Sequence, residues 1–464
     1  MKVHLFERLA RKRAGRKGRR RSWRRLAVYV GASFGVVVLL VTAFAFGFGG
    51  AILSHYGKAK AERAYADAYP GSALRIGELD YAVGANRLIA QRVVLSSTNT
   101  TLEIGRVTLT GVRWARLLWG KAALADVLDR ASLETANLEV AFPEAHYGIR
   151  CARLRASVPD SELIAEGAEL QPLVEDEALF AAGAFRTTRY RVVLPECRVQ
   201  GLEYGEALQG RSYRARSVYL SRPSLDALIN RDKPPPPSVK SPLMVHEALA
   251  AIQQPFQVDK LSITNGLITY AERATPGADP AVLTFEAVNL SVAGIANRAE
   301  APATIELRGQ GDLMSAGTLK VLMSIPITPP DFTFHYSGSL SAMDLTRLDA
   351  FLDLAEHVRI HSGTAQEAAF EIEVNAGQAI GRVRAIYDDL KITALDQQTG
   401  SEKGFDNRVA SFLANALKIR TSNAPDALGS MKHGEIHYIR TPEETFLEFV
   451  WFALRSGVLD VISH

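Results

Sequence analysis

Few residues in this chain are spaced for chemistry. Gly31-Ala32-Ser33-Phe34-Gly35 matches the G-x-S-x-G pattern by letters. That mechanism needs a strand–Ser–helix turn above a water-accessible sheet. This serine stands inside a 28-residue uncharged run, so the match is set aside. His246-Glu247 opens like the zinc pattern H-E-x-x-H, but Ala250 stands where the second histidine belongs. His433 and His437 are four apart, a helical spacing, yet Gly434 and the alternation after it predict a strand. Asp388 and Asp389 are adjacent, so on a strand they face opposite ways and do not pair as acid and base. No C-x-x-C, Walker loop or dinucleotide fingerprint occurs, and 2 cysteines cannot build a four-thiolate metal site. The expectation is no enzyme, no cofactor and no metal.

Cys151 and Cys197 both fall in extended-looking segments. An oxidising compartment permits a disulfide between them. Two buried small side chains are the other reading.

The chain has 464 residues, 47% hydrophobic and 22% charged, which excludes disorder throughout. Its charge is divided. Residues 1–25 carry twelve Lys or Arg and one acid, Glu7, so the remainder is net −7. A basic tail suggests nucleic acid, but this one stops at Arg25, where the uncharged run Leu26–Leu53 begins. No nucleic-acid partner is therefore expected. A helical span needs ~20 apolar residues. Trp23, Tyr29 and Tyr56 stand where interfacial rings belong. The run predicts a transmembrane helix over 26–54, with 1–25 as a cytoplasmic tail and the bulk of the chain on the far side.

The exported part reads as strands. Gly57–Ala68 is Ala-rich and helical, ended by Pro70 and Gly71. Ala73–Val83, Arg87–Ser96 and Thr101–Leu109 are strand-like. Leu102, Ile104, Val107 and Leu109 cannot share one face under strict alternation, and the shift at Gly105 predicts a bulge or bend. Val112–Leu128 reads as a helix with Trp114, Leu117, Leu118, Leu124 and Leu128 as its stripe. Ala131–Phe142, Arg150–Val158 and Thr188–Val199 return to strand, and Leu225–Ile229 reads as a short helical turn. These fill a β-rich region over 55–232. The four prolines of Lys233–Ser241 continue neither ladder nor helix, so 233–242 is read as a linker or loop.

The region 243–400 repeats the pattern. Asn265-Gly266 stands between Phe256–Ile263 and Leu267–Tyr270, a hairpin-turn signature. Ala281–Val292, Ala303–Gly309, Gly317–Ser324, Asp331–Ser339, Val358–His361, Thr364–Asn375 and Gln378–Leu395 follow, with a helix at Leu345–Leu354. The fold class is mainly β with a few short helices. Such strands must bury one face, in a sandwich, a closed barrel or an elongated curved sheet. In 401–464, Phe412–Ile419 reads as helix and Gly434–Ile439 as strand. Pro442–Ile462 reads as an apolar helix carrying Phe446, Phe449, Val450, Trp451 and Leu454. That helix has three roles open to it: capping an open sheet, packing on a partner, or lying at a membrane surface.

Four features resemble the AsmA-like family of bacterial envelope proteins. They are the Arg-rich start with a single anchor; P-F-Q-V-D-K-L-S-I-T-N-G-L-I-T-Y at Pro255–Tyr270; Y-S-G-S-L-S-A-M-D-L-T-R-L-D-A-F-L at Tyr336–Leu352 with Ile360–Thr364; and G-R-V-R-A-I-Y-D-D-L-K-I at Gly381–Ile392 with F-V-W-F-A-L-R-S-G at Phe449–Gly457. The likeness is best over roughly 250–460. It implies an elongated antiparallel β-groove with an apolar inner face, held in the periplasm by a single-pass inner-membrane anchor. It further implies handling of phospholipid or other acyl chains in that groove. The alternative is a non-enzymatic structural or assembly factor that binds envelope proteins at its C-terminal end. Candidate groove residues are Leu261, Ile263, Leu267, Leu283, Phe285, Ile305, Leu307, Leu319, Val321, Phe332, Phe334, Phe370, Ile372, Val383, Ile386 and Ile392.

Overall fold

The computed structural model describes residues 55–68, 71–97, 99–114, 116, 124–234, 243–298, 304–327, 332–395, 419–442 and 444–463. The basic tail 1–25, the run 26–54 with its Gly31–Gly35 motif, the prolines at 235–237 and the helix expected over 412–418 lie outside the described residues.

One helix, α1 (His55–Ala68), leads into a single 18-stranded sheet. Its first nine strands are β1 (Ala73–Ala82), β2 (Arg87–Ser97), β3 (Thr100–Thr110), β4 (Ser132–Phe142), β5 (Tyr147–Ser157), β6 (Glu162–Pro172), β7 (Thr188–Gln200), β8 (Tyr213–Ser221) and β9 (Ser224–Asn230). The other nine are β10 (Phe256–Arg273), β11 (Ala281–Ala296), β12 (Thr304–Leu313), β13 (Gly317–Pro326), β14 (Phe334–Leu340), β15 (Met343–Asp344), β16 (Val358–Asn375), β17 (Gln378–Ala394) and β18 (Gly434–Ile439).

Neighbours follow chain order and are antiparallel, with one exception. β8 and β9 are collinear, both antiparallel to β7 and both parallel to β10. A parallel pairing needs a long crossover. Here residues 231–255 supply it, including α5 (Val245–Ala250). The Leu225–Ile229 turn is therefore strand β9, not helix. β14 and β15 likewise share one position beside β16. The sheet thus has sixteen positions, with β1 at one end and β18 at the other. At the usual strand spacing that is about 70 Å.

A crease crosses most of these strands. The shift expected at Gly105 exists as a bend with the register kept on both sides, and it is one of a series. Ile76 and Leu79, Ala90 and Val93, Ile104 and Val107 are each three apart, yet all are buried. Pairing passes over one residue per strand: Gly77, Arg92, Gly105, Asn137, Ala152, Gly167 and Pro195. Arg92, Asn137 and Gly167 take left-handed backbone, with φ of 51°, 53° and 61°. Gly77, Gly105 and Ala152 stand among the residues opposite them, and a Cβ on Gly77 would lie 2.9 Å from the Cβ of Arg92. The passed-over residues oppose one another, so the register is kept while the alternation resets, and both halves of each strand turn apolar side chains inward. A true bulge, with a register shift, overturns the expected Asn265-Gly266 hairpin. Asn265 (φ 52°) is a bulge inside the 18-residue strand β10, and Ala287 (φ 48°) continues the crease on β11.

Register lines up the inward side chains in rows. One row has a single residue at every position: Tyr81, Leu88, Leu109, Leu133, Ala156, Leu163, Val199, Val218, Leu261, Val292, Leu307, Met323, Tyr336, Ile372, Gly381 and Ile436. Directly opposed residues share a face, so this row is one continuous apolar line. Its neighbour row runs from Leu79 through Cys197, Ile263 and Phe370 to Gly434. The outer face over β1–β7 carries charge instead, in cross-strand pairs such as Arg92–Glu78 (2.7 Å) and Arg155–Glu166 (2.6 Å).

Short helices finish the sheet. The expected helix over Val112–Leu128 is described as α2 only at Leu124–Leu128, and 117–123 lie outside the described residues. α3 (Asp176–Ala181) sits on the outer face, where Phe180 covers Leu228 and Ala271. Arg189 clamps it through Asp226 (2.6 Å) and Asp176 (3.3 Å), and Arg273 lies 4.7 Å over the Phe180 ring. α4 (Tyr204–Ala207) is tied down by Tyr204, which donates to the Glu162 carbonyl at 2.6 Å. α6 (Asp349–Ala355) and α7 (Phe446–Ile462) match the helices expected at Leu345–Leu354 and Pro442–Ile462.

No helix among the described residues is long and apolar enough to cross a membrane. The fold as described is a mostly antiparallel elongated sheet without a transmembrane element. The anchored, single-pass inner-membrane placement expected from the sequence is withdrawn on that finding. The segment that prompted it, 26–54, lies outside the described residues.

Candidate functional site

The inner face at the C-terminal end carries the long helix α7. α7 begins with a capping box, in which Thr445 Oγ1 accepts from the Glu448 amide (3.3 Å) and the Thr445 amide donates to Glu448 Oε2 (2.9 Å). Phe449, Ala453, Gly457 and Val461 recur every four residues, and all are buried. This stripe lies on β17 and β18. Gly457 and Gly434 let the backbones meet, since a Cβ on Gly434 would stand 1.9 Å from the Gly457 carbonyl oxygen. An aromatic cluster holds the first turns: Phe449 is 5.3 Å from Phe332, and Phe446 is 5.3 Å from Phe334. Tyr336 donates to the Val450 carbonyl (3.0 Å) and Tyr387 to the Val461 carbonyl (3.4 Å).

Two further helices occupy the trough. α6 touches both β11 and β16, and its Phe351 ring lies 6.0 Å from Tyr270 on β10. Arg455 of α7 pairs with Glu356, just past α6, at 3.0 Å. Val245 and Leu249 of α5 pack on the same core, and His246 stacks 5.9 Å from Phe332. The chain's own helices therefore fill much of the space an apolar cargo would need.

The sixteen groove candidates divide accordingly. Leu261, Ile305, Leu307, Phe332, Phe334, Phe370, Ile372, Val383 and Ile392 belong to one packed core. Phe446, Phe449, Val450 and Leu454 of α7 join that core. Ile263, Leu283, Phe285, Leu319 and Val321 are half-buried on the inner face, outside that core, and mark the part of the groove that stays partly open. Leu267 is 41% exposed and alternates with inward Ile268; Ile386 stands opposite exposed Glu367. Both point outward. The acyl-chain route is therefore corrected: its best-supported residues are core packing, and the helices built from 345–355 and 446–462 lie where the cargo was placed. Trp451 alone of the α7 candidates is exposed, at 43%.

Cys151 and Cys197 are free thiols. They stand on β5 and β7 with β6 between them, near 10 Å by strand spacing, beyond the reach of a disulfide. Burial pushes both thiols up from their ordinary range. Among the described residues no group of three His, Cys, Asp or Glu is placed to hold a metal.

The core tyrosines set an alkaline limit. Burial raises the phenols of Tyr336 and Tyr438 above their ordinary range and lifts Tyr387 to about 12. A phenol raised on folding contributes fully below the unfolded value near ~10, and that contribution is lost as pH rises through its folded value. The urea midpoint should thus fall steeply between pH 10 and 12. Tyr387→Phe with Tyr336→Phe should flatten that fall while leaving the neutral-pH fold intact. An unchanged slope in the double variant would remove these tyrosines as the cause.

Sequence reading caught the inward pair spaced by three once, in I-G-R-V at 104–107, and missed its recurrence in I-G-E-L at 76–79 and T-A-N-L at 135–138, where buried Thr135 takes the first inward place. Read together, these mark the crease and the single inner face. No protein-family model matches the chain, and no curated protein matches it.

Proposed function

We propose that this chain is a non-enzymatic assembly factor, a long sheet scaffold that binds other proteins at its C-terminal end. The observation that carries the reading is the uncovered flank of α7. Leu447 is 75% exposed and Trp451 43%, four residues apart and so on one flank. The opposite stripe of the same helix is locked into the core. Large apolar side chains presented by a rigid element are the usual anchors of a protein interface. The likeness of 250–460 to AsmA-like proteins supports the reading through that group's part in assembling the envelope, and makes envelope proteins the first partners to test.

Site-specific photocrosslinkers at Leu447 and Trp451, in cells producing the full chain, should each give a discrete protein adduct. The same group at Glu139 on the outer face should give none. The double variant Leu447→Glu, Trp451→Glu should lose the adduct partner at least tenfold and keep its unfolding midpoint. Adducts at Glu139 only, or at no position, would reject the reading.

A further inference from the structure

The two ends of the sheet are finished differently. At β1 the outward backbone is sealed by α1: the Ile76 amide donates to Glu62 Oε1 (2.8 Å), and Lys58 Nζ donates to the Gly77 carbonyl (3.3 Å). An unpaired strand edge invites other chains, and a helix is one way to cover it. At β18 the finish is partial. The Arg440 amide donates to the Gly377 carbonyl (3.0 Å), so even-numbered residues here turn their amides toward β17 and odd-numbered ones away. The Glu435 amide faces away and is taken by Asp460 Oδ2 of α7 (2.8 Å). His437 and Ile439 come next on that edge, and no described residue pairs with their outward backbone.

From this we infer that the free edge of β18 receives an extended segment of another protein as an added strand. The inference takes from the proposed function only that the partner is a protein. Bare amides and carbonyls at strand spacing are complementary to one thing, another extended backbone. The side chains suit such a guest. Ile439 is 71% exposed, and Ile380, opposite His437 on β17, is 50% exposed. Together they offer an apolar strip on the outer face at the edge. On the inner face α7 stands above β18, with Phe452 6.2 Å from Tyr438.

A second copy of this chain fits poorly. Antiparallel pairing of two β18 strands sets them ~4.8 Å apart with both copies of α7 on the same face. Each α7 lies chiefly over β18. Packed helices need ~8–10 Å between axes, so the two would collide. A bare strand brings no helix.

The test uses the full chain and a fluorescein-labelled seven-residue peptide of alternating threonine and valine. The His437 and Ile439 amides should exchange with deuterium freely in the unbound protein and at least tenfold more slowly with the peptide. Ile439→Pro removes an outward N–H and leaves pairing to β17 intact; it should weaken the peptide at least tenfold without shifting the unfolding midpoint. Amides already protected in the free protein, equal peptide binding by Ile439→Pro, or a dimer that Ile439→Pro turns monomeric would each overturn the inference. Retention by Ile439→Pro of a partner crosslinked at Trp451 would reject strand addition while sparing the assembly reading.

Discussion

Gly434→Val lifts α7 off the sheet. The position faces backbone: a Cβ there would stand 1.9 Å from the Gly457 carbonyl oxygen and 3.0 Å from the Val461 amide nitrogen. No rotamer change relieves that overlap, so the helix must move as a unit. Overpacking of this kind costs up to about 3 kcal/mol, and displacement of α7 also uncovers Ile436, Phe334 and Tyr336, all now 2% exposed or less. Urea unfolding should show the loss, and trypsin should cut at Arg455 far faster than in the parent chain. Gly457→Ala is the graded control. Its new methyl would meet the Cγ1 of Ile436 and the Cγ2 of Val383 at 2.5 and 2.7 Å, side-chain rather than backbone atoms, so the cost should be smaller. Equal stability of Gly434→Val and the parent would mean that α7 is not seated as described.

Much of this architecture is legible from residue order. The Ala-rich helix at 57–68, the bend at Gly105, the helix near 345–354 and the apolar C-terminal helix follow from local periodicity and punctuation, and the structure shows each. Other features are not local. Asn265-Gly266 has the letters of a hairpin turn, but the same left-handed residue serves a bulge when flanking strands are held straight by neighbours on both sides. β10 has such neighbours in β8, β9 and β11. Leu225–Ile229 was too short to separate from a helical turn by periodicity, and only pairing to β7 and β10 makes it strand. The groove candidates show the deepest limit. Alternation identifies an inward side chain, but it cannot tell whether a cargo or the chain's own helix covers it. Phe370 and Phe285 read alike in sequence. One packs into the core against Tyr336, and the other lies in the partly open middle.

The crease explains why a single inner face can extend so far. A strand with strict alternation stays straight, while one residue dropped from the ladder, in left-handed backbone on alternate strands, breaks the alternation and bends it. Placing that residue at the same height on β1 through β7 and again on β10 and β11 bends the whole sheet along one line. Curvature brings the inward rows toward one another, and β1–β5 then bury Leu74, Ile76, Val93, Ile104 and Val140 chiefly against their own sheet, with few helices needed. At the far end the strands beyond β12 lack this regular series, and α5, α6 and α7 supply the cover instead.

That difference in cover leads to the largest expected effect of a single charge. Ile372→Lys should unfold the C-terminal half of the sheet under conditions where Leu283→Lys leaves it folded. Ile372 is 0% exposed, between Tyr336 and Gly381 in the continuous row. A lysine there is far from water, among Tyr336, Phe334 and Val383 of the packed core. An unpaired buried charge costs about 3–5 kcal/mol, a large share of the stability of any domain. Leu283 is half-buried in the open part of the groove. A lysine there can lay its stem along the apolar floor and keep its ammonium in water, so its cost should stay within about 1 kcal/mol. Urea midpoints of the two variants, read by near-ultraviolet circular dichroism, make the comparison. Matching midpoints would mean that the inner face is uniformly open to solvent from β11 to β16, and that the helices filling the trough do not hold their places in solution.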